Sequence, residues 1–503
     1  MSSRQPSASA VQDARTLVRA LSSCLQTYGL YPAGHPSRQE GVREATGAAK
    51  RLVEAFEERP VLFVSRRSLY LGSILLARES LTLAGLVDAL IGAGIEALEL
   101  LPNVEEQDLD TVVLILRGDE RPDTPMTGIL ANRVRADVGT GEQRERSMTD
   151  LLGTYAFGLE HLRQTADAVA ADQRVDLEGS LQVVEQLTDS ITEDPIQALL
   201  ATTVKSFDEY TYYHMVNVCM LSIALGYAVG LSREQLLLLG LGGLLHDVGK
   251  VKVPQDVLQH AGDLNEEQWR LIQRHPVDGA GLIFVTSGEL FHPAASIVLE
   301  HHSGFDLHGY PGLSGRPHPS VPARLASVAD VFDAVTTNRS YRQAEDRMRA
   351  LDILQSASGS GFDPNMVSVF TKLLGRVPVG SLVTLSTGAV GLVVRSSEHE
   401  PSRPVVQLVL DAERHAVEPE EIDLSARGPG GSFLIDIEGT HEAGDLGLDM
   451  AEVLRGVRPD SAAFGGENAE PGLVHEPGPG ESPPPGYIDT HGTDGEHRPT
   501  AEG

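Results

Sequence analysis

The spacing of apolar residues divides the chain into a mixed first part, a helical middle and a β-rich part. Residues 11–118 combine helical periodicity with short apolar runs, and PVLFVSRRSLYLGSILLA predicts a hairpin of two β-rich runs around a polar tip. From about residue 147 to 375 apolar residues recur at helical spacing, and from 380 the period changes to two. The pattern therefore predicts a multidomain protein with α+β, all-α and β parts.

Changes in composition place the domain boundaries. DERPDTPMTG is rich in turn-forming residues and indicates a linker, whereas EPGPGESPPPG is short of apolar residues and typical of disorder. The predicted parts are a small α+β domain at 11–118 that we expect to be regulatory, a linker and connecting helix at 119–174, an all-α helical domain at 175–378, a small β domain at 379–430 and a disordered acidic tail at 440–503.

Charge and composition limit the class of protein. A net charge of -31 argues against binding to nucleic-acid polymers or to membrane surfaces, although a local positive pocket would still accept a small anion. Only Cys24 and Cys219 are present, which fits a reducing compartment without a disulfide framework. The longest apolar run, at 236–245, is too short to span a bilayer, and the N-terminus has no apolar signal core. We therefore expect a cytoplasmic protein with no membrane insertion.

Polar residues interrupt the apolar faces of five helical segments. His214 shares a face with Val218 and Leu221, although a lone buried histidine is more often a satisfied core residue than a ligand. In LLHDVGK, His246 and Asp247 end a strongly apolar helix, where an unpaired charge would be costly. The other segments contain His275 before Pro276, the two histidines of ASIVLEHH, and the aspartates of VADVFDA at i and i+3, which are Asp330 and Asp333.

The chemistry of these donors indicates a metal site. Imidazole and carboxylate together suit Fe, Mn, Ni or Zn, and no cysteine belongs to the set. The donors exceed the number that one tetrahedral ion binds and suit two ions that share a bridging carboxylate. Such a pair can activate water and hold a phosphoryl oxygen at once. The residues predict a helical hydrolase site with two metals, and they do not name its substrate.

The order of the motifs resembles the HD-GYP family over roughly 175–375. The motifs are His214, HDVGK at 246–250, HP at 275–276, HH at 301–302, GYP at 309–311, VADVFDA, NRSYR at 338–342 and FDP at 362–364. The resemblance implies an all-α HD-type catalytic domain with a di-iron or di-manganese centre. It also implies hydrolysis of cyclic di-GMP by in-line attack of a hydroxide that bridges the metals.

The resemblance also assigns roles to individual residues. Asp247 would bridge both ions and be catalytic, Lys250 would be catalytic and face the substrate phosphate, and Arg339 and Arg342 would lie near the phosphates. The residues Asp306, Gly309, Tyr310, Pro311 and Asp333 would lie on the substrate side. The implied metal ligands are His214, His246, Asp247, His275, His301, His302 and Asp330.

The loop after the paired histidines departs from the family pattern HHE-R-x-D-G-x-G-Y-P. Ser303 and Gly304 replace the Glu and Arg, and Leu307 and His308 stand where Gly-x is usual, while the spacing to Gly-Tyr-Pro is unchanged. We expect metal binding to be retained and substrate contacts to be altered. Some members have a glutamate that supports a third metal where this chain has Tyr210, so two metals are expected.

Three functions remain open from the sequence. The first is a cyclic di-GMP phosphodiesterase, and the second is a phosphohydrolase for another cyclic dinucleotide or phosphoester. The third is a catalytically weak module that senses a cyclic dinucleotide or recruits a partner. A homodimer and a regulatory partner that binds the N-terminal domain are further expectations.

Overall fold

A computed structural model of the chain divides into two compact units, Met1–Arg144 and Glu145–Gly503. The structure describes residues 8–32, 34–56, 59–65, 67–72, 74–132, 148–204, 210–258, 260, 262, 264–287, 291–337, 344–397 and 400–456.

The first unit packs helices on a five-stranded antiparallel sheet. Its helices are α1 (Ala8–Leu30), α2 (Pro36–Ala55), α3 (Ala77–Thr82), α4 (Ala84–Gly92) and α5 (Glu106–Arg117). Its strands are β1 (Val61–Ser65), β2 (Ser68–Leu71), β3 (Ile74–Leu75), β4 (Ala97–Leu100) and β5 (Ile129–Ala131), in the order β3-β2-β1-β4-β5. The predicted hairpin corresponds to β1 and β2, which pair antiparallel.

The predicted end of this domain at residue 118 is too early. Strand β5, which lies in the predicted linker 119–174, pairs with β4 and extends the sheet. Asp108 in the first turn of α5 explains this connection, because its carboxylate accepts hydrogen bonds from the backbone N–H groups of Thr127 (2.8 Å) and Gly128 (3.1 Å). The side chain of Asp108 therefore joins α5 to the segment before β5, although the turn-rich stretch DERPDTPMTG predicts a linker there.

The second unit begins with a helical part. Its helices are α6 (Met148–Ala170), α7 (Leu177–Glu193), α8 (Pro195–Ala201), α9 (Tyr210–Ala228), α10 (Arg233–Leu245), α11 (Gln255–Leu258), α12 (Glu266–Ile272), α13 (His275–Ser287), α14 (His292–Glu300), α15 (Val321–Val335), α16 (Arg347–Ser356) and α17 (Pro364–Leu374), with a 3-10 helix at Val248–Lys252. Helix α9 packs against both α10 and α15. Residues 214–226 of α9 and 325–335 of α15 are all buried, so a polar side chain there needs a partner within the core.

Capping residues explain several helix starts. Ser232 and Gln235 form a capping box at the start of α10, and Asn265 and Gln268 form one at the start of α12. Helix α12 ends at Ile272, and His275 begins α13. Proline fits the first turn of a helix, where its missing N–H needs no intrahelical acceptor, so Pro276 follows His275 inside α13.

The second unit ends in a five-stranded antiparallel sheet. Its strands are β6 (Leu382–Leu385), β7 (Val390–Arg395), β8 (Val405–Leu410), β9 (Glu421–Asp423) and β10 (Ile437–His441), in the order β10-β6-β7-β8-β9, followed by a 3-10 helix at Gly444–Leu446 and α18 (Met450–Arg455).

The predicted limits of the β domain and of the disordered tail are also too early. Strand β10 pairs with β6, and α18 packs against α6 and α8, so residues 437–456 belong to the folded unit. The buried side chains of Met450 and Leu454 hold α18 in place. The rest of the predicted tail, residues 457–503, lies outside the described residues. None of the described helices is both long enough and apolar enough to cross a membrane.

Candidate metal centre

Five helical segments bring the predicted ligands into one buried cluster. His214 lies on α9, His246 follows α10, and Asp247 precedes the 3-10 helix. His275 begins α13, His301 and His302 follow α14, and Asp330 lies on α15. The seven side chains are all buried. The structure therefore places together the full set that the resemblance assigns to the metals.

Three histidines are held in the same way, by a carbonyl of the preceding turn. In each, the Nδ1–H donates to the backbone oxygen of the residue three positions earlier, which leaves Nε2 to face the cluster. The pairs are His246 with Gly243 (2.8 Å), His275 with Ile272 (2.8 Å) and His301 with Val298 (2.9 Å). The position of each histidine, three residues after this carbonyl, therefore fixes the direction of its ring.

His214 is oriented by a carboxylate. Its Nδ1–H donates to Asp333 Oδ2 at 2.8 Å, and its Nε2 lies 3.1 Å from Asp330 Oδ1. Asn217 Nδ2 donates to Asp333 Oδ1 at 2.9 Å, and the hydroxyl of Tyr155 donates to Asn217 Oδ1 at 2.7 Å. The prediction that Asp333 lies on the substrate side is therefore wrong: its carboxylate is behind His214, and both its oxygens are used within the core.

Asp247 lies at the middle of the cluster. Its Oδ1 is 3.2 Å from His275 Nε2, and its Oδ2 is 3.3 Å from His246 Nε2. Among the described residues, three groups of donors have atoms within 4.8 Å of one another: Asp247 with His275, His301 and His302; His214 with His246 and Asp247; and His246 with His301 and Asp330. Asp247 belongs to two of these groups, which is the position that a bridging carboxylate requires.

The electrostatic environment favours the protonation states that bind metals. Burial alone would raise the pKa of Asp247, but the Lys250 ammonium and the imidazole of His246 hold it well below its usual value. Burial lowers the pKa of His275 to about 3, and burial together with His246 lowers that of His301 to about 4. At pH 7 Asp247 is therefore an anion, and the imidazoles of His275 and His301 are neutral, as metal ligands must be.

His214 has the opposite shift. Burial would lower its pKa, but hydrogen bonds to Asp330 and Asp333 raise it to about 9. His214 is therefore protonated at pH 7 when no metal is bound, and binding of a metal by its Nε2 would release that proton.

Unsatisfied atoms in the cluster fit a metal. His246 Nε2, Asp247 Oδ1 and Asp330 Oδ2 are buried without a hydrogen-bond partner. A buried polar atom without a partner costs about 1–3 kcal/mol, so three of them in one cluster call for a ligand. Imidazole nitrogens and carboxylate oxygens at these positions suit divalent Fe, Mn or Zn. The residues present therefore fit a divalent metal centre.

Gly249 allows two of these segments to approach each other. A Cβ at this position would lie 2.0 Å from the carbonyl oxygen of His275 and 2.7 Å from the backbone nitrogen of Gly279. The structure shows that the residue lacks a side chain because the backbone of α13 lies against it, which places His275 beside Asp247.

Comparisons with known proteins agree with this geometry. Residues 196–366 match the family model of the HD domain, and residues 382–427 match that of the KOW domain associated with HD domains. A cyclic di-GMP phosphodiesterase of Pseudomonas aeruginosa is 32% identical over 257 residues, which are 51% of this chain and 62% of that protein. The helical region is an HD domain of the HD-GYP type.

Other relatives differ in the substrate that their names give. The cyclic di-GMP phosphodiesterase response regulator RpfG of Xanthomonas campestris is 37% identical over 29% of this chain and 38% of that protein. The 3'3'-cGAMP-specific phosphodiesterase 1 of Vibrio cholerae is 33% identical over 33% of this chain and 38% of that protein. The chain thus spans less than two thirds of the length of each. Among solved structures, an HDG"Y"P protein from Bdellovibrio bacteriovorus aligns with 47% of this chain and 74% of that chain at 20% identity, with a TM-score of 0.38.

The Gly-Tyr-Pro turn of this HD-GYP domain packs on the metal ligands. The ring of Tyr310 lies 4.7 Å from that of His302, 6.3 Å from that of His275 and 6.0 Å from that of Trp269. Gly309 has a φ of 103°, which favours glycine, and the peptide bond between Tyr310 and Pro311 is cis. The observed role of the turn is to cover the histidines, and its contact with substrate stays a prediction.

Asp306 organises the altered part of the HD-GYP loop. Its carboxylate accepts the backbone N–H of His308 at 3.0 Å and pairs with the ring of His308 at 3.1 Å. Its own N–H donates to the carbonyl of Ser360 at 3.0 Å. Leu307 has a φ of 67°, a left-handed conformation that costs a non-glycine residue about 1–2 kcal/mol. Leucine therefore occupies a backbone conformation that suits the family's glycine, and the loop keeps it through these hydrogen bonds.

The structure describes Lys250 and Tyr210 at the edge of the cluster, whereas two predicted arginines are not described. Lys250 Nζ donates to Asp247 Oδ2 at 2.7 Å and is partly exposed, so it lies at the edge of the cluster. The ring of Tyr210 stacks on that of His214, with centroids 5.6 Å apart. Arg339 and Arg342 lie outside the described residues, and their contact with phosphate stays a prediction.

Sequence reasoning missed Asn217 and Tyr155 as supports of the HD-GYP centre. A signal for Asn217 is present, because it lies three residues after His214 on an otherwise apolar helix and so shares its face. No signal marks Tyr155, since α6 reaches the network only through the packing of the helices.

The FDP motif also gains a structural role: Asp363 caps α17 and pairs with Arg324 at 2.7 Å.

Replacing Asp333 by alanine should weaken metal binding without removing a metal ligand. His214 would lose the carboxylate that fixes its ring, and such supporting groups contribute about 10–100-fold to metal affinity or activity. Metal affinity measured by competition with a chelator should fall by that factor. Asp352→Ala, at an exposed position of α16, is the control and should bind metal as wild type does. Unchanged affinity in Asp333→Ala would remove the positioning role.

Proposed function

We propose that this chain is a metal-dependent phosphodiesterase that hydrolyses cyclic di-GMP. The observation that supports this most directly is the arrangement of seven buried donors in overlapping groups that share Asp247. Two divalent ions, Fe or Mn, are the cofactors that we assign to these groups. The names of the relatives from Pseudomonas and Xanthomonas support cyclic di-GMP as the substrate.

A second candidate substrate is 3'3'-cGAMP. Two relatives of similar identity, both from Vibrio cholerae, are named as phosphodiesterases specific for it. The loop that carries Gly-Tyr-Pro also differs at Ser303 and Gly304 from the family pattern, where an arginine would face an anionic substrate. Both observations concern specificity and leave the reaction type unchanged.

The chain's own residues would divide the work of hydrolysis. A bound pair of divalent ions supplies Lewis-acid activation of water and neutralises charge on the phosphate. Asp247 links two of the overlapping groups of donors, and its low pKa keeps the carboxylate ionised at pH 7. Lys250 lies beside Asp247 at a partly exposed position, where its ammonium would stabilise the negative charge that develops on the phosphoryl oxygens. The ring of Tyr310 packs on those of His302 and His275, and Trp269 packs on Tyr310.

The Lys250→Met variant should separate binding of metal from turnover. Methionine keeps much of the length of the lysine side chain, so packing should persist, while the ammonium that would face phosphate is lost. Removal of one such electrostatic donor costs about 10²–10³-fold in kcat. Metal content should stay at the wild-type value. Lys252→Met, two residues along the same 3-10 helix, is the control and should keep its kcat, whereas full activity in Lys250→Met would exclude the catalytic role.

The direct test is anaerobic turnover of cyclic di-GMP and of 3'3'-cGAMP after loading with Fe(II) or Mn(II), with products separated by chromatography. Linear dinucleotide or mononucleotide from cyclic di-GMP would support the proposal and show how far hydrolysis proceeds. Faster turnover of 3'3'-cGAMP would assign the second substrate. Binding of either dinucleotide without any product, at full metal content, would contradict the enzyme and favour a sensor.

A further inference from the structure

A small cavity lies between the helical part and the β-rich end of the second unit, apart from the metal cluster. Its volume is about 50 Å³, and its walls come from the end of α15, the start of α16, the start of β6 and the segment from β10 to α18. A cavity of this size has room for a few waters or one small ion. Nothing in the proposed catalytic reaction uses it.

Arg347 is the unusual member of the cavity wall. Its side chain is buried, with 7% of the residue exposed, and the Nε and Nη2 atoms of its guanidinium have no hydrogen-bond partner. These two N–H groups lie on one edge of the planar guanidinium, which matches two oxygens of a carboxylate or phosphate. The buried hydroxyl of Ser381, also in the wall, has no partner either. Three polar atoms therefore lack partners around one cavity.

The surroundings only partly compensate the charge of Arg347. Burial lowers its pKa to about 10, while the charges of Asp333 and Glu442 act in the opposite direction. Its guanidinium lies 5.0 Å from the ring centroid of Phe332, which provides a cation–π contact and no hydrogen-bond acceptor. Asp346 and Glu442 both belong to the cavity wall, and the carboxylate of Asp346 accepts the N–H of Arg349 at 2.8 Å as a helix cap. Arg347 thus remains charged at pH 7 with one edge unsatisfied.

We propose that the cavity between α16 and β6 binds a small oxyanion, either inorganic phosphate or the terminal phosphate of a mononucleotide. The Nε and Nη2 groups of Arg347 would donate to two of its oxygens, and the hydroxyl of Ser381 would donate to a third. The first turn of α16 adds its N-terminal dipole, which favours an anion at this end. Thr336, which follows α15, forms part of the cavity wall, and none of the seven predicted metal ligands does.

Titration calorimetry on the full-length, metal-loaded protein at constant ionic strength tests this site, with inorganic phosphate as the first probe and guanosine monophosphate as the second. One phosphate site per chain should remain in the Asp247→Ala variant, which excludes the metal centre as its location. Tighter binding of the mononucleotide would identify it as the source of the phosphate group, and tighter binding of inorganic phosphate would identify the free ion.

Three variants locate the binding. Arg347→Met should lower phosphate affinity by more than about tenfold, because it removes a charge-assisted bidentate contact. Ser381→Ala should lower it about two- to tenfold through the loss of one hydrogen bond. Arg349→Met, at an exposed position on the same helix, should bind phosphate as wild type does. The proposal would be overturned if wild type did not bind phosphate. It would also be overturned if the single variants Ser381→Ala and Arg347→Met both bound phosphate with unchanged affinity.

The thermal stability of Arg347→Met separates a ligand site from a structural role. Without phosphate, its melting temperature should be no lower than that of wild type, because methionine removes a buried charge that lacks a full set of partners. Phosphate should raise the melting temperature of wild type and leave that of the variant unchanged. A lower melting temperature in the variant, with no effect of phosphate on wild type, would assign Arg347 a packing role and reject the site. This outcome is independent of whether cyclic di-GMP is hydrolysed.

Discussion

Asp247→Ala should lose bound metal and turnover together while the protein stays largely helical. Asp247 belongs to two of the three donor groups, so its removal affects both of the ion sites that we propose. Supporting groups alone change metal affinity or activity by about 10–100-fold, so loss of the shared ligand should exceed about 100-fold in each. Metal content measured by mass spectrometry after gel filtration, and turnover of cyclic di-GMP under anaerobic conditions, check this result.

The fold should survive this substitution because Asp247 makes few contacts outside the cluster. Its carboxylate contacts Lys250 and the neighbouring imidazoles, and the helices on both sides are held by apolar side chains such as Leu244 and Leu245. Circular dichroism should therefore match wild type. Asp256→Ala, at an exposed position in α11, is the matched control and should keep both metals and activity. Wild-type turnover in Asp247→Ala would rule out the proposed mechanism.

The metal donors could be predicted from the sequence because they break strong apolar patterns. A histidine such as His214 on an apolar helix, or the His246-Asp247 pair after a run of leucines, is costly unless it has a partner. The two periods of the sequence, helical and then alternating, likewise predicted the succession of helices and strands. The local pattern was sufficient for these features because apolar residues mark the positions that become buried.

The supports of the donors could not be predicted in the same way. Asp333 looks equivalent to Asp330 in sequence, since both lie on one face of α15, and only the packing of α9 against α15 shows that Asp333 is behind His214. The boundaries at 118 and 430 failed for a related reason. Strands β5 and β10 are short, and each is stabilised by pairing with a strand distant in sequence.

Gly249→Ala should be strongly destabilising although it adds a single methyl group. The new Cβ would lie 2.0 Å from the carbonyl oxygen of His275, far inside van der Waals contact, and this atom belongs to the backbone of α13. Inserting a methyl group into packed structure costs typically about 1–3 kcal/mol, and a backbone neighbour that cannot rotate away places this case at about 3 kcal/mol or more. Chemical denaturation of the metal-free protein measures this change in the free energy of unfolding.

The same substitution should also reduce metal binding, for a geometric reason. Relief of the overlap requires α13 to move away from the 3-10 helix, and His275 is the first residue of α13. Its Nε2 would then leave its position 3.2 Å from Asp247 Oδ1. Metal content should therefore fall in Gly249→Ala even under conditions where the variant is fully folded.

Gly281→Ala is the matched control for this mechanism. Gly281 lies on α13 like Gly279, but a Cβ there would meet nothing within 4 Å, so alanine should fit without strain. Since glycine inside a helix is about 0.8–1.0 kcal/mol less favourable than alanine, this variant should be more stable than wild type by up to that amount. Opposite changes in stability at Gly249 and Gly281 would show that close backbone approach, and not helix propensity, requires Gly249. Equal stability of the two variants would contradict the approach of α13 to the 3-10 helix on which the position of His275 depends.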